Sequence, residues 1–438
     1  MTKLLALALV VGFAASARAA PDWRYEVAVG PKARVLAIEA VIAPGASDEL
    51  GIAPGAEPYV RGLEVGDGVR WIPARATGDR WMAPRCSESG CRIRYHFLLG
   101  DAADLKGPPL ARRIGAVIVA PPSTWMLRPL HAGPAVQVRF HFDVPAGVRA
   151  LSGVDRVEGL DEVYQAPVTE LAAAPPAAFG SLAVTSLEIA GGRIDVAIAP
   201  GRRALSDAQL VETVKRAGST VAAWLGRAPR DRLLVLMLAD AGDKLTAVTR
   251  AGGGAEIVAR VGAALSPSAL AASDALEREM VRLTLPTLDT DYTRLADGLV
   301  TYATPLARAR AGQIPPEAAW ESLLGTLPDG ARFWLVADLR IRAHTHNRRS
   351  LDDALRAIAD EGGDIAARWT LEHLLTTCDR AVGSPIVTTL YGELDEAGLA
   401  TELSSSWRRL GVIVDDDGKI TFDDAAPLAA IRRSLTAR

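Results

Sequence analysis

The chain has 438 residues, with 49 Lys and Arg against 52 Asp and Glu and a formal net charge of −3. That length suits two or three domains. Basic residues scattered among comparable numbers of acidic ones exclude a nucleic-acid binder, which carries a basic face interleaved with aromatics.

Lys3, the apolar run Leu4 to Ala15 and the small residues of Ser16-Ala17-Arg18-Ala19 follow the charged, apolar and small-residue order of a secretory signal. Residues 1–19 are therefore read as a cleaved signal peptide, and the protein is expected in the periplasm or secreted. The net charge becomes −5 once Lys3 and Arg18 leave. No later stretch approaches about 20 uninterrupted apolar residues, so no transmembrane segment is expected after cleavage. In an oxidising compartment Cys86 and Cys91 are close enough in sequence to close a small disulfide loop, and Cys378 has no obvious partner. A metal at the Cys86/Cys91 pair needs two further ligands, and only His96 is near.

Residues 20–168 are short β-branched and aromatic runs cut by Pro and Gly, among them Val35 to Ile42, Cys91 to Leu99, Gly115 to Ala120 and Ala135 to Val144. They predict a β-sandwich-like N-terminal domain. Residues 169–176 read as an Ala- and Pro-rich linker, and a second domain, 177–410, opens with two strands turned at Gly191-Gly192. Its α/β part, 177–285, continues with a capped amphipathic helix from Ser206 to Leu225 closed by Gly226, and a buried strand from Leu233 to Leu238. A strand over Ala255 to Val261 follows Gly252 to Gly254, and a helix over Ser273 to Leu285 starts at Ser273 or Asp274. Residues 286–410 are helical, with apolar spacing over Tyr292 to Ala311, Pro316 to Leu324, Gly330 to His344, Ser350 to Asp360, Thr370 to Val382 and Pro385 to Ala397. Residues 411–438 form a hairpin turned on Asp416-Asp417-Gly418, then a tail. Lys419 sits where a calcium loop needs a ligand, and no Glu closes such a loop. The fold class is α+β.

Chemistry concentrates at Arg278-Glu279-Met280-Val281-Arg282. A zinc peptidase helix carries two histidines at i and i+4, a glutamate after the first to activate water, and a later carboxylate as third ligand. Arg278 and Arg282 occupy the two ligand positions, Glu279 the general-base position, and Asp297 the later carboxylate.

In these pieces the chain resembles the glycyl-aminopeptidase family of gluzincin, or thermolysin-like, metallopeptidases, in particular short exported bacterial relatives without a PDZ domain. Further pieces are Ala178-Phe179-Gly180, Leu225-Gly226-Arg227-Ala228-Pro229, Gly252-Gly253-Gly254-Ala255, and Ala296-Asp297-Gly298-Leu299-Val300-Thr301-Tyr302, which looks like the family's third-ligand signature. Ala307 to Gly312, Trp334 to Arg342 and Asn347 to Leu355 extend the likeness along the mature chain. The resemblance implies a β-rich N-terminal domain and a thermolysin-like catalytic-type domain with a mixed sheet and a helical C-terminal part. It also implies that Gly252, Gly253, Gly254, Ala255, Glu256 and Ile257 begin an edge strand beside the cleft, where an extended peptide can pair.

The departures fall where the chemistry needs donors. Arginine stays protonated and offers no acceptor nitrogen, so neither Arg278 nor Arg282 can bind a metal. The tyrosine that assists the family's transition state is missing from Pro328-Asp329-Gly330-Ala331-Arg332-Phe333. All six histidines lie outside Phe142 to Ala343, and the only close pair, His344 and His346, points apart on a helix. No Gly-x-Ser-x-Gly elbow or phosphate loop replaces the lost site. The expectation is a pseudopeptidase with no intact catalytic residue and no cofactor, in which arginine pairs with Glu279 and Asp297 in place of zinc. It would bind an extended peptide or a protein, with the oligomeric state left open. The rivals are an active zinc aminopeptidase completed by an unseen ligand set, and a structural or interaction protein acting through its β domain.

Overall fold

The computed structural model describes residues 22–437 except 67–68, 106–109, 161, 326, 394 and 416. The expected signal peptide and part of the Asp416-Asp417-Gly418 turn lie outside the described residues.

The first unit follows from period-2 patterning. Along Asp22–Val29, Trp23, Tyr25, Val27 and Val29 are buried while Arg24, Glu26 and Ala28 face solvent. This strand pairs in parallel with Gln137–Asp143 and antiparallel with Leu36–Ile42, inside a seven-stranded sheet. Two four-stranded sheets pack with it. Trp125 fills the core between them, against Phe140, Phe142 and Phe179, with ring centroids at 5.9, 5.9 and 6.1 Å. Cys86 and Cys91 are joined by a disulfide. His96 points to the opposite face of its strand from Cys91, away from the pair.

Phe179 marks a correction to the expected domain boundary. The strand Ala177–Gly180 pairs with Val117–Ala120 and Arg149–Ser152, so it closes the first unit and does not open the second. The expected linker is likewise part of the fold, because Leu171 and Ala174 are buried in the first unit's core. An Ala/Pro-rich composition resembles a linker, yet small apolar side chains also suit a seam where two backbones come close.

In the second unit the strands are β1 (Ala183–Ile189), β2 (Gly192–Ile198), β3 (Arg232–Asp240), β4 (Leu245–Ala251) and β5 (Ala255–Gly262), in the order β1-β2-β3-β5-β4. β2, β3 and β5 are parallel neighbours, and β1 and β4 are antiparallel edges. β3 reads as an unbroken apolar run because helices or strands cover both its faces, the usual mark of a parallel interior strand. Helix α1 (Asp207–Leu225) crosses from β2 to β3; Ser206 and Gln209 form its capping box and Gly226 closes it in the left-handed region. The mixed sheet followed by helices bears out the α+β expectation.

A second correction concerns the strand expected beside the cleft. Ala255, Glu256 and Ile257 begin β5, which lies inside the sheet between β3 and β4, and all three are buried. Gly252, Gly253 and Gly254 are the turn that joins β4 to β5, with φ of +154°, +61° and +147°. A Cβ on them would lie 2.6 Å from the carbonyl carbon of Ala173, 2.4 Å from Cβ of Ala166 and 2.4 Å from the carbonyl oxygen of Gly153. Glycine is required there because the turn is pressed backbone to backbone onto the first unit. The edge strand is β4, one strand earlier than the glycines suggest.

Beside this seam Glu256 is fully buried, and burial holds its carboxyl well above the usual carboxylate range. The native state therefore keeps a proton that the unfolded chain releases near pH ~4. Stability drawn from this group is fully present below that pH and declines as pH rises towards the folded value. Glu256→Gln, which does not titrate, is expected to melt progressively higher relative to the parent protein between about pH 4 and pH 7. Parallel melting curves across that range would refute the assignment.

Candidate functional site

Helix α2 (Ala275–Arg282) packs between α1, β4 and α3 (Thr293–Arg310). Leu276, Glu277, Met280 and Val281 face inward. The remaining face presents Arg278, Glu279 and Arg282, all half-buried, as one helical stripe.

Arg282 gathers the acids. Its Nη1 donates to Oδ1 of Asp297 at 2.6 Å, and its Nε lies 3.6 Å from Oε2 of Glu279. The same Glu279 oxygen accepts the backbone amide of Thr249, on the outer edge of β4, at 2.8 Å. Glu279 thus satisfies a backbone donor on the outer edge of β4. The guanidinium of Arg278 meets no acceptor among the described residues, so one arginine, not both, ties the cluster together. The Asp297 side chain is 62% exposed and that of Glu279 only 14%. The Arg282–Asp297 pair is therefore a surface feature, worth no more than about 1 kcal/mol in water.

Behind Asp297 the backbone is tightly held. Helix α4 (Asp329–Thr345) crosses α3 with Gly298 against Gly330, and Trp334 Nε1 donates to the carbonyl of Leu295 at 2.7 Å. The first turn of α4, where the resemblance calls for a tyrosine, instead offers Gly330 to this crossing. His344 is at the far end of α4, roughly 20 Å away along the axis. His346 ends that helix in the left-handed region, so neither completes a ligand set at Asp297.

A zinc ion does not fit these residues. The stripe and Asp297 offer two guanidiniums without acceptor lone pairs and only two carboxylates, Glu279 mostly buried and Asp297 facing solvent. Among the described residues no group of three or more His, Cys, Asp or Glu is placed to hold a metal.

The architecture can be set beside known structures. An aminopeptidase N family protein from Idiomarina loihiensis superposes with a TM-score of 0.58 at 12% identity, over 92% of this chain and 82% of that one. An M1 zinc metallopeptidase from Deinococcus radiodurans gives a TM-score of 0.50 at 14% identity, over 85% of this chain and 92% of that one. The chain has the M1-type peptidase fold. No protein-family model matches the sequence, and no curated protein matches it. In this fold α2 and the start of α3 bring Glu279, Arg282 and Asp297 together beside the β4 edge, with Arg278 on the same face of α2. Gly252 to Ile257 lie outside that edge. Thr249 is the residue that the sequence reading missed; the alternation of Leu245, Ala247, Thr249 and Ala251 with the exposed Thr246, Val248 and Arg250 is the period-2 signal that marks β4. No helix among the described residues is long and apolar enough to cross a membrane.

Proposed function

We propose that this chain is an exported pseudopeptidase, a gluzincin scaffold similar in its motifs to the glycyl-aminopeptidase family, which has exchanged zinc chemistry for an arginine–carboxylate ion pair. The observation that carries this reading is Arg282, whose guanidinium contacts the acid at the general-base position and the acid at the third-ligand position together. A carboxylate pair in a cleft needs a cation, and arginine supplies one that neither dissociates nor activates water. The retained role is binding of an extended peptide or protein segment at the β4 edge, on either side of the Thr249 amide that Glu279 already holds. The leader-like residues 1–19 support the periplasm or the exterior as its location.

Metal analysis of the purified protein tests this reading together with an aminopeptidase assay on substrates with small N-terminal residues. The expected outcome is zinc well below one ion per chain, unchanged by loading with zinc and dialysis, and no turnover above a no-enzyme control. Stoichiometric zinc accompanied by turnover would overturn it in favour of an active metallopeptidase.

A further inference from the structure

A second concavity lies on the helical side, distinct from the Arg282 cluster. Helix α5 (Ile386–Glu393) and helix α6 (Glu396–Leu410) close over α3 and α4 to leave a cavity of about 580 Å³. That is within the range of small-molecule sites. Leu295, Phe333, Tyr391 and Leu399 form its apolar lining, with Phe333 and Tyr391 edge to face at 6.0 Å. Its charged lining is Arg294, Asp329 and Asp395.

These charges are of both signs, and their partners decide what remains. Arg332, which is not part of the lining, offsets Asp329, its Nη1 donating to Oδ1 at 3.0 Å. Asp395 Oδ1 accepts the Gly398 amide at 2.9 Å as the N-cap of α6, and a neutral amide leaves the carboxylate its charge. Arg294 is exposed, and its guanidinium has no acidic partner among the described residues. Arg294 and Asp395 therefore line one cavity without pairing with each other. What remains is one positive and one negative position beside an apolar wall, with no excess of either sign.

We propose that this cavity binds a free α-amino acid with an aromatic or branched aliphatic side chain. Its ammonium sits on Asp395, its carboxylate on Arg294, and its side chain against Phe333, Tyr391 and Leu399. A zwitterion needs no excess charge in its site, because each end meets an opposite charge. A ligand with a single charge meets the like charge as well. The apolar wall adds selection by burial. The inference goes beyond the pseudopeptidase reading and does not depend on it, because Arg294, Asp395 and Tyr391 take no part in the Glu279–Arg282–Asp297 contacts.

Calorimetric titration of the full chain with L-phenylalanine, N-acetyl-L-phenylalanine and L-phenylalanine amide tests it, at about pH 6, where free amino and carboxyl ends are both charged. The amino acid is expected to bind at least about fivefold more tightly than either analogue, each of which lacks one ion pair. Arg294→Gln should weaken the amino acid and the N-acetyl acid by about fivefold and leave the amide no weaker. Asp395→Asn keeps a capping oxygen for α6 and removes the charge. It should weaken the amino acid and the amide and leave the N-acetyl acid no weaker. Tyr391→Ala should weaken all three. No binding of L-phenylalanine, an analogue that binds as tightly as the amino acid, or either charge variant indistinguishable from the parent would each overturn the proposal. Tighter binding of L-phenylalanylglycine, whose charged ends lie farther apart, would overturn the assignment to a single amino acid.

Discussion

Asp338→Ala is expected to cost about 3–5 kcal/mol, the penalty for removing one partner of a buried ion pair and leaving the other charge uncompensated. Asp338 is 1% exposed and serves three donors. Its Oδ2 accepts from Tyr302 at 2.6 Å and from Arg342 Nε at 3.0 Å, and its Oδ1 accepts the Leu351 amide at 2.7 Å. Arg342, itself 5% exposed, also donates to Ser434 at 3.0 Å and lies 3.8 Å from Asp352. Asp352 in turn accepts from Trp224 and Arg310 at 2.9 and 2.7 Å. One carboxylate thus helps hold together α1, α3, α4, the helix Leu351–Asp360 and the C-terminal helix Ala429–Thr436. Urea unfolding followed by circular dichroism reads the loss. The double variant Asp338→Leu/Arg342→Leu should recover part of it, because the stranded charge goes with its partner. An Asp338→Ala variant within about 1 kcal/mol of the parent would show that the network contributes little.

Gly298→Ala is expected to destabilise by about 3 kcal/mol, at the upper end of overpacking costs because backbone rather than flexible side chain is struck. The sign is the informative part, since Gly to Ala inside a helix ordinarily gains up to about 1 kcal/mol. A Cβ at position 298 would lie 2.1 Å from the carbonyl carbon of Gly330, and one at 330 would lie 2.0 Å from the carbonyl oxygen of Arg294. Neither neighbour can rotate away, so α3 and α4 would have to separate and carry Asp297 and Arg294 with them. The same urea titration serves, and a Gly298→Ala protein as stable as the parent would refute the tight crossing.

These two positions show what the sequence disclosed and what it hid. The spacing of Arg278, Glu279 and Arg282 puts them on one helix face whatever the tertiary fold, and α2 presents them so. Apolar spacing likewise locates α1, α3 and α4 to within a few residues, because it reports burial along a helix directly. Depth is a different property. Nothing local tells that Asp297 is solvent-facing while Asp338 is enclosed. The helix expected from Pro385 to Ala397 instead ends at Glu393, and Asp395 caps the next one, a switch that apolar spacing alone passes over. Gly298 reads as part of a ligand signature, whereas the geometry gives it a packing role as well. The triple glycine was misread for a comparable reason: its conformational demand comes from a surface more than seventy residues earlier in the chain.

That demand bears on how the protein is made. The first unit leaves the ribosome before residues 245–262 are synthesised, and N-terminal units generally fold first. Its groove at Gly153, Ala166 and Ala173 would then already exist when the β4–β5 turn emerges. The turn is shaped to be received, so the nascent second sheet would meet a template at the moment its last two strands must choose their register.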